Sequence, residues 1–211
     1  MPAQPPPPTP VVPSRIETDR LVLRPYEASD GPALFEAVHE STPELSRWLP
    51  WADKHPTIDA STETCRRLRA LFDAREDFTL GLFGRADGRL LGGSGLHRVR
   101  WELPSFEIGY WLRTSAVGHG YVTEAVAALA WTCFEDLGAA RVEIYCDPRN
   151  ERSSAVARRL GFVHEGTLRQ RILGVDGRPR DSHVFSLVRA DWAARGAEIR
   201  RVAGGPASRG R

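Results

Sequence analysis

The chain has few cysteines, almost no lysine and no long apolar run. Its three cysteines, Cys65, Cys133 and Cys146, are odd in number and lack Cys-x-x-Cys spacing, so neither a disulfide framework nor a zinc site is suggested, and no metal is expected. Cys133, in a helical pattern, and Cys146, in a strand pattern, read as small buried hydrophobes. Lys54 is the only lysine, a bias we read as base composition rather than function. No apolar stretch approaches bilayer length, and no basic segment leads into an apolar core at the start; a cytoplasmic protein without membrane attachment is expected. A net charge of +2 gives no ground for a nucleic-acid surface. No Gly-Lys-Ser/Thr occurs, which excludes a Walker A loop.

What is present fits one folded domain of 211 residues or fewer. Residues 1–14 are proline-rich and read as a disordered tail, residues 15–194 as the domain, and residues 195–211 as a loose basic tail. Between the tails, strand and helix patterns alternate. Arg20–Arg24 reads as a strand. Ala33, Leu34, Ala37 and Val38 mark one helix face, and Cys65, Leu68, Leu71 and Phe72 a second. Two strands around Asp87-Gly88 form a hairpin. A strand ending near Arg113, a helix from Gly120 to Leu137, the strand Arg141–Cys146, a short helix and a closing hairpin around Asp176-Gly177 follow. This order predicts an α/β fold with a mixed sheet of about seven strands flanked by helices.

Chemistry concentrates where an apolar strand, Ile108 to Leu112, runs into Val117-Gly118-His119-Gly120-Tyr121-Val122-Thr123 and then a helix. Glycines before a helix N-terminus leave amide N–H groups open to a phosphate. A steric turn with no ligand is the plainer alternative for the glycines. A dinucleotide site fits poorly, because Thr123 stands at the third glycine position and Asp147 lies too far along. Thirty residues on, Asn150-Glu151-Arg152-Ser153 opens a second helix, which stops at Gly161-Phe162; Asn150 is also an ordinary helix cap.

Taken together, these residues resemble the GNAT acetyltransferases of RimJ/RimL type, which acetylate protein N-termini. The glycine turn matches the family's Gln/Arg-x-x-Gly-x-Gly/Ala pattern with Val117 and Val122 departing from it. Asn150, Ser153, Gly161 and Phe162 match its second signature, Phe162 to Gly166 the subfamily's Phe-x-x-Glu-Gly, and Trp48-Leu49-Pro50-Trp51 an early aromatic loop. The resemblance implies a sheet splayed between its fourth and fifth strands, with acetyl-CoA as co-substrate. Backbone groups at Trp111, Leu112 and Arg113 would meet the pantetheine, Val117 to Thr123 the pyrophosphate, and Asn150 the pantetheine again. Ser153 would protonate the departing thiolate. Glu107 and Glu165 are alternative general bases, and Trp48 and Trp51 would wall the acceptor site. The acceptor is expected to be a protein or peptide N-terminus, with a small amine such as an aminoglycoside or polyamine, or a non-catalytic acyl-CoA-binding role, as alternatives. Dimers are common among similar proteins, which leaves a homodimer open.

Overall fold

The computed structural model describes residues 10–204. Strands β1 (Ile16–Glu17), β2 (Leu21–Arg24), β3 (Phe78–Gly84), β4 (Leu90–Arg100), β5 (Ser105–Leu112), β6 (Arg141–Cys146), β7 (Val163–Leu173) and β8 (Pro179–Val188) form one open sheet. Their order is β1-β2-β3-β4-β5-β6-β8-β7. Eight strands stand where about seven were expected; the added one is the two-residue β1, too short to leave a periodic signal. Every pairing is antiparallel except β5 with β6. Both predicted hairpin turns use their glycine in the left-handed region, with φ of 68° at Gly88 and 72° at Gly177.

Helices α1 (Gly31–Leu45) and α2 (Ile58–Asp73) cover one face, where Leu34, Ala37, Val38 and Cys65 pack on Val22, Phe83 and Leu90. Helix α3 (Tyr121–Trp131) packs on the other face; every residue from Thr123 to Ala130 is buried, as befits a helix apolar all round. The predicted helix to Leu137 continues past Trp131 as a π-helical turn, Thr132–Asp136, and Gly138 ends it at φ 69°. Helix α4 (Glu151–Arg159) follows β6, and α5 (Arg189–Ala203) lies against α3.

The folded unit extends beyond the expected 15–194 at both ends. Val12 is buried in the core, and α5 carries the chain through Ala203 with Gly196, Ile199 and Ala203 buried. The glycine and arginine content that suggested a loose end belongs in part to an ordinary amphipathic helix. Residues 1–9 and 205–211, the remainder of the two predicted tails, lie outside the described residues. All three cysteines are buried thiols. No helix among the described residues is long and apolar enough to cross a membrane.

One ion cluster joins the layers. Arg113, 2% exposed, leaves the end of β5 and turns beneath α1. Its Nε donates to Glu40 at 2.9 Å, and Nη2 meets both Glu36, at 2.6 Å, and Glu40. Glu40 also accepts the Ser115 amide at 2.7 Å, and Ser41 accepts that of Thr114 at 2.9 Å. Bonding to Arg113 lowers the Glu40 carboxyl to about 2, against the opposing effect of burial. A carboxylate depressed on folding contributes stability above its unfolded value near 4.5, and that contribution disappears as pH falls toward 2. Thermal unfolding should therefore show a melting temperature that drops between about pH 4.5 and 2, and Glu40→Gln should flatten part of that drop. Arg113→Ala, which removes the buried guanidinium but leaves Glu36 and Glu40 in reach of water, should cost about 1–3 kcal/mol in chemical denaturation.

Candidate active site

β5 and β6 pair over three residues only: Ser105 with Arg141, Phe106 with Val142, and Glu107 with Glu143. Beyond that point β5 stays with β4 as far as Leu112, and β6 stays with β8 as far as Cys146. The two halves of the sheet part between β5 and β6, leaving a wedge; the splay was expected between the fourth and fifth strands, and the added β1 moves it one place along. The Arg113 amide donates to Leu91 O at 2.8 Å. Alternation along an antiparallel ladder then points the backbone groups of Trp111 and Gly109 toward β4, and those of Leu112 and Tyr110 toward the wedge. Leu112 therefore faces the wedge. Trp111 is turned the other way: its carbonyl lies so close to β4 that a Cβ on Gly92 would sit 2.3 Å from it. The free backbone belongs to Tyr110 and Leu112. The side chain of Arg113 is held by Glu36 and Glu40 of α1.

The glycine turn has the geometry that an anion seat requires. Gly118 and Gly120 have φ of 91° and 80°, values that disfavour a side chain. Nothing lies within 4 Å of a Cβ built on Gly118. The first backbone bond of α3 runs from Glu124 N–H to Gly120 O at 3.1 Å, so the amides of Tyr121, Val122 and Thr123 precede the ladder. Val117 and His119 are exposed, and His119 stacks on Tyr121 with centroids 5.8 Å apart. Arg159 from α4 donates to Thr123 Oγ1 at 3.2 Å.

Asn150 caps α4, its Oδ1 accepting the Ser153 amide at 3.1 Å. Ser153 Oγ in turn donates to the Tyr110 hydroxyl at 3.0 Å, and Tyr110 O–H donates to Ser153 O, also at 3.0 Å. Burial holds the Tyr110 phenol well above its usual range, so it stays a neutral donor. Tyr110 was visible in sequence only as a strand residue; nothing in the spacing links it to a serine 43 positions away. Beside them the Cys146 thiol lies 3.3 Å from Ser154 Oγ, raised in pKa by burial.

The two carboxylate candidates separate clearly. Glu107 lines a cavity of about 410 Å³ with Arg98, Val99, Arg100, Glu143 and Tyr145. Arg98 Nη1 lies 3.2 Å from Glu107 Oε2, yet its geometry makes no hydrogen bond and that buried oxygen has none. Glu143 is already held by Arg141 Nε at 2.7 Å and the Tyr145 hydroxyl at 3.3 Å. Glu165 stands at a bulge in β7, bonded by both Arg141 Nη atoms and, at 2.8 Å, by Ser186 Oγ. The Arg141 bonds lower its carboxyl to about 2. Arg141 sits at the closed end of the wedge, so its bonds to Glu165 join β6 to β7 there. Trp51 packs edge-on against Trp111, centroids 5.5 Å apart, and against His55. That contact brings the aromatic loop to the open half of β5; Trp48 is half-buried in the same loop.

The comparisons agree with this geometry. Residues 20–163 match the family model described as an acetyltransferase (GNAT) domain. The chain belongs to the GNAT acetyltransferases. As an N-acetyltransferase of this family its co-substrate is acetyl-CoA, which the open wedge and the glycine turn fit. YdaF of Bacillus subtilis (strain 168) is 32% identical over 178 residues, covering 82% of this chain and 94% of that one. The [ribosomal protein uS5]-alanine N-acetyltransferase of Escherichia coli (strain K12) is 27% identical over 182 residues, covering 84% and 92%. Among solved structures, Mycobacterium smegmatis RimJ in complex with CoA-disulfide superposes with a TM-score of 0.77 at 28% identity, covering 87% of this chain and 89% of that one. Gly120→Asp would place bulk and negative charge at the open turn in a strained conformation. Calorimetry should show CoA affinity falling at least tenfold, about 1.4 kcal/mol, with no affinity for NAD in either protein.

Proposed function

We propose that this enzyme acetylates the α-amine of a protein or peptide N-terminus. The observation that carries the reading is the placement of acid and base across β5. Side chains alternate along a strand, so Glu107 and Trp111 point to the α1/α2 face while Tyr110 points to the α4 face, where it meets Ser153. An acceptor entering from the aromatic loop meets Glu107; a thioester lying in the wedge presents its sulfur toward Ser153. The Escherichia coli relative named for the alanine of ribosomal protein uS5 supports an N-terminal acceptor.

Acetyl-CoA supplies an activated acyl group that passes to a neutral amine. An α-amine, with a pKa of about 7.7–8.0, reaches neutrality far more easily than a lysine amine at about 10.4. Glu107 Oε2, buried and without a hydrogen bond, accepts the ammonium proton directly or through a water. The Leu112 amide faces the wedge and is placed to donate to developing negative charge on the acyl oxygen. Ser153 Oγ, turned from Tyr110 toward the sulfur, supplies a proton for the leaving thiolate, and the Tyr110 O–H, 3.0 Å away, swings from the Ser153 carbonyl to donate to the serine oxygen and replace that proton. Trp51, held against Trp111, gives the peptide an apolar wall.

Steady-state kinetics separate these roles. Ser153→Ala should lower kcat roughly ten- to a hundredfold with CoA affinity nearly unchanged. Glu107→Gln should lower kcat by a similar factor, whereas Glu165→Gln should leave kcat nearly unchanged. An unaffected kcat in Ser153→Ala would reduce Ser153 to a helix residue. Blocking a peptide's α-amine should abolish turnover and blocking its lysines should not. Turnover confined to polyamines or aminoglycosides would place the enzyme in the small-molecule class instead.

A further inference from the structure

The glycine turn carries no cationic side chain of its own at the first motif position, where exposed Val117 stands in place of the family's Gln or Arg. It also has an electrostatic problem. Glu124, 3% exposed, lies in the first turn of α3, so a buried carboxylate stands one helical turn from the amides that would receive a phosphate. Unneutralised, it would repel that ligand and oppose the favourable helix dipole.

The answer comes from the beginning of the chain. Glu124 Oε1 accepts the Thr18 hydroxyl at 2.5 Å and the Arg20 amide at 3.0 Å, and Oε2 accepts Arg20 Nε at 2.6 Å. Arg20 Nη2 lies 2.6 Å from the same oxygen. Arg20 Nη1 then reaches the turn itself, donating to His119 O at 2.8 Å, while the guanidinium lies over the Tyr121 ring, 4.8 Å from its centroid. A Cβ built on Gly120 would lie 3.5 Å from Arg20 Nη2, so the guanidinium borders the glycine directly. A guanidinium has five N–H donors, and these contacts leave an outer hydrogen on each Nη. The Arg20 side chain is 48% exposed, so the guanidinium is open to solvent beside the turn.

We propose that Arg20 is the cation of the phosphate seat: it neutralises Glu124, holds the His119 carbonyl and offers its outer N–H groups to the pyrophosphate of CoA. The assignment rests on the acetyl-CoA reading. It replaces the motif's own side chain with one 99 residues upstream of His119, a distance at which no local pattern would reveal it. Arg159, bonded to Thr123 Oγ1, is a second cation at the start of α3.

Calorimetric binding of CoA, and of pantetheine as a phosphate-free probe, tests this. Arg20→Gln alone exposes Glu124 as an unpaired buried charge and can fail to fold, so the decisive pair is Glu124→Gln against the double variant Arg20→Gln/Glu124→Gln. In both, the buried charge is gone. The double variant should bind CoA roughly ten- to a hundredfold more weakly than Glu124→Gln, the scale of charge-assisted hydrogen bonds. Its CoA affinity should also depend less on ionic strength, and pantetheine should bind both variants equally. CoA affinities within twofold of each other would show Arg20 to be only a brace for Glu124 and overturn the proposal. Failure of the unaltered protein to bind CoA would instead overturn the acetyl-CoA reading.

Discussion

Three parallel residue pairs hold β5 to β6, and the site depends on their ending at Glu107 and Glu143. A parallel ladder continued to Leu112 would fill the backbone of Tyr110 and Leu112 with strand partners. Because the ladder ends early, those groups face an opening whose walls are otherwise rigid: β4 braces one side and β8 the other. The opening runs through the sheet, so a group on β5 can address it from either face. Strand alternation then does the chemical sorting, with a carboxylate and an aromatic wall on one side and a hydroxyl relay on the other.

The parts that flank the opening are fastened from a distance. Arg113 ties the end of β5 and the turn after it to α1, through Glu36 and Glu40. Arg20 ties the start of α3 to β2 through Glu124. Arg180 on β8 donates to the Arg47 carbonyl at 2.7 Å, which joins the aromatic loop to the far half of the sheet. The arginine richness read from composition alone as having no functional meaning is thus a set of long-range ties, several of which converge on the site.

What could be read from sequence was local. The glycine turn, the Asn150 cap three residues before Ser153, the two Asp-Gly hairpins and the alternation of Arg141–Cys146 each express themselves within a few residues, and the structure has all of them. The contacts that local spacing does not show have one cause: partners far apart in the chain. Tyr110 meets Ser153, Arg113 meets Glu36 and Glu40 of α1, and Glu165 meets Arg141 because folding brings them together, not because spacing does. The direction of the Trp111 backbone was hidden for a related reason. Which backbone groups of β5 face the opening depends on the β4 register, which no single segment encodes.

That register makes the central claim measurable. Amide hydrogen exchange, resolved by residue with and without CoA, should show the Tyr110 and Leu112 amides protected by the ligand along with those of Gly118 to Thr123. The Trp111 amide, already turned toward β4, should be slow in both states. Unchanged exchange at Tyr110 and Leu112 under saturating CoA would contradict the account, because the ligand would then lie outside the parted strands.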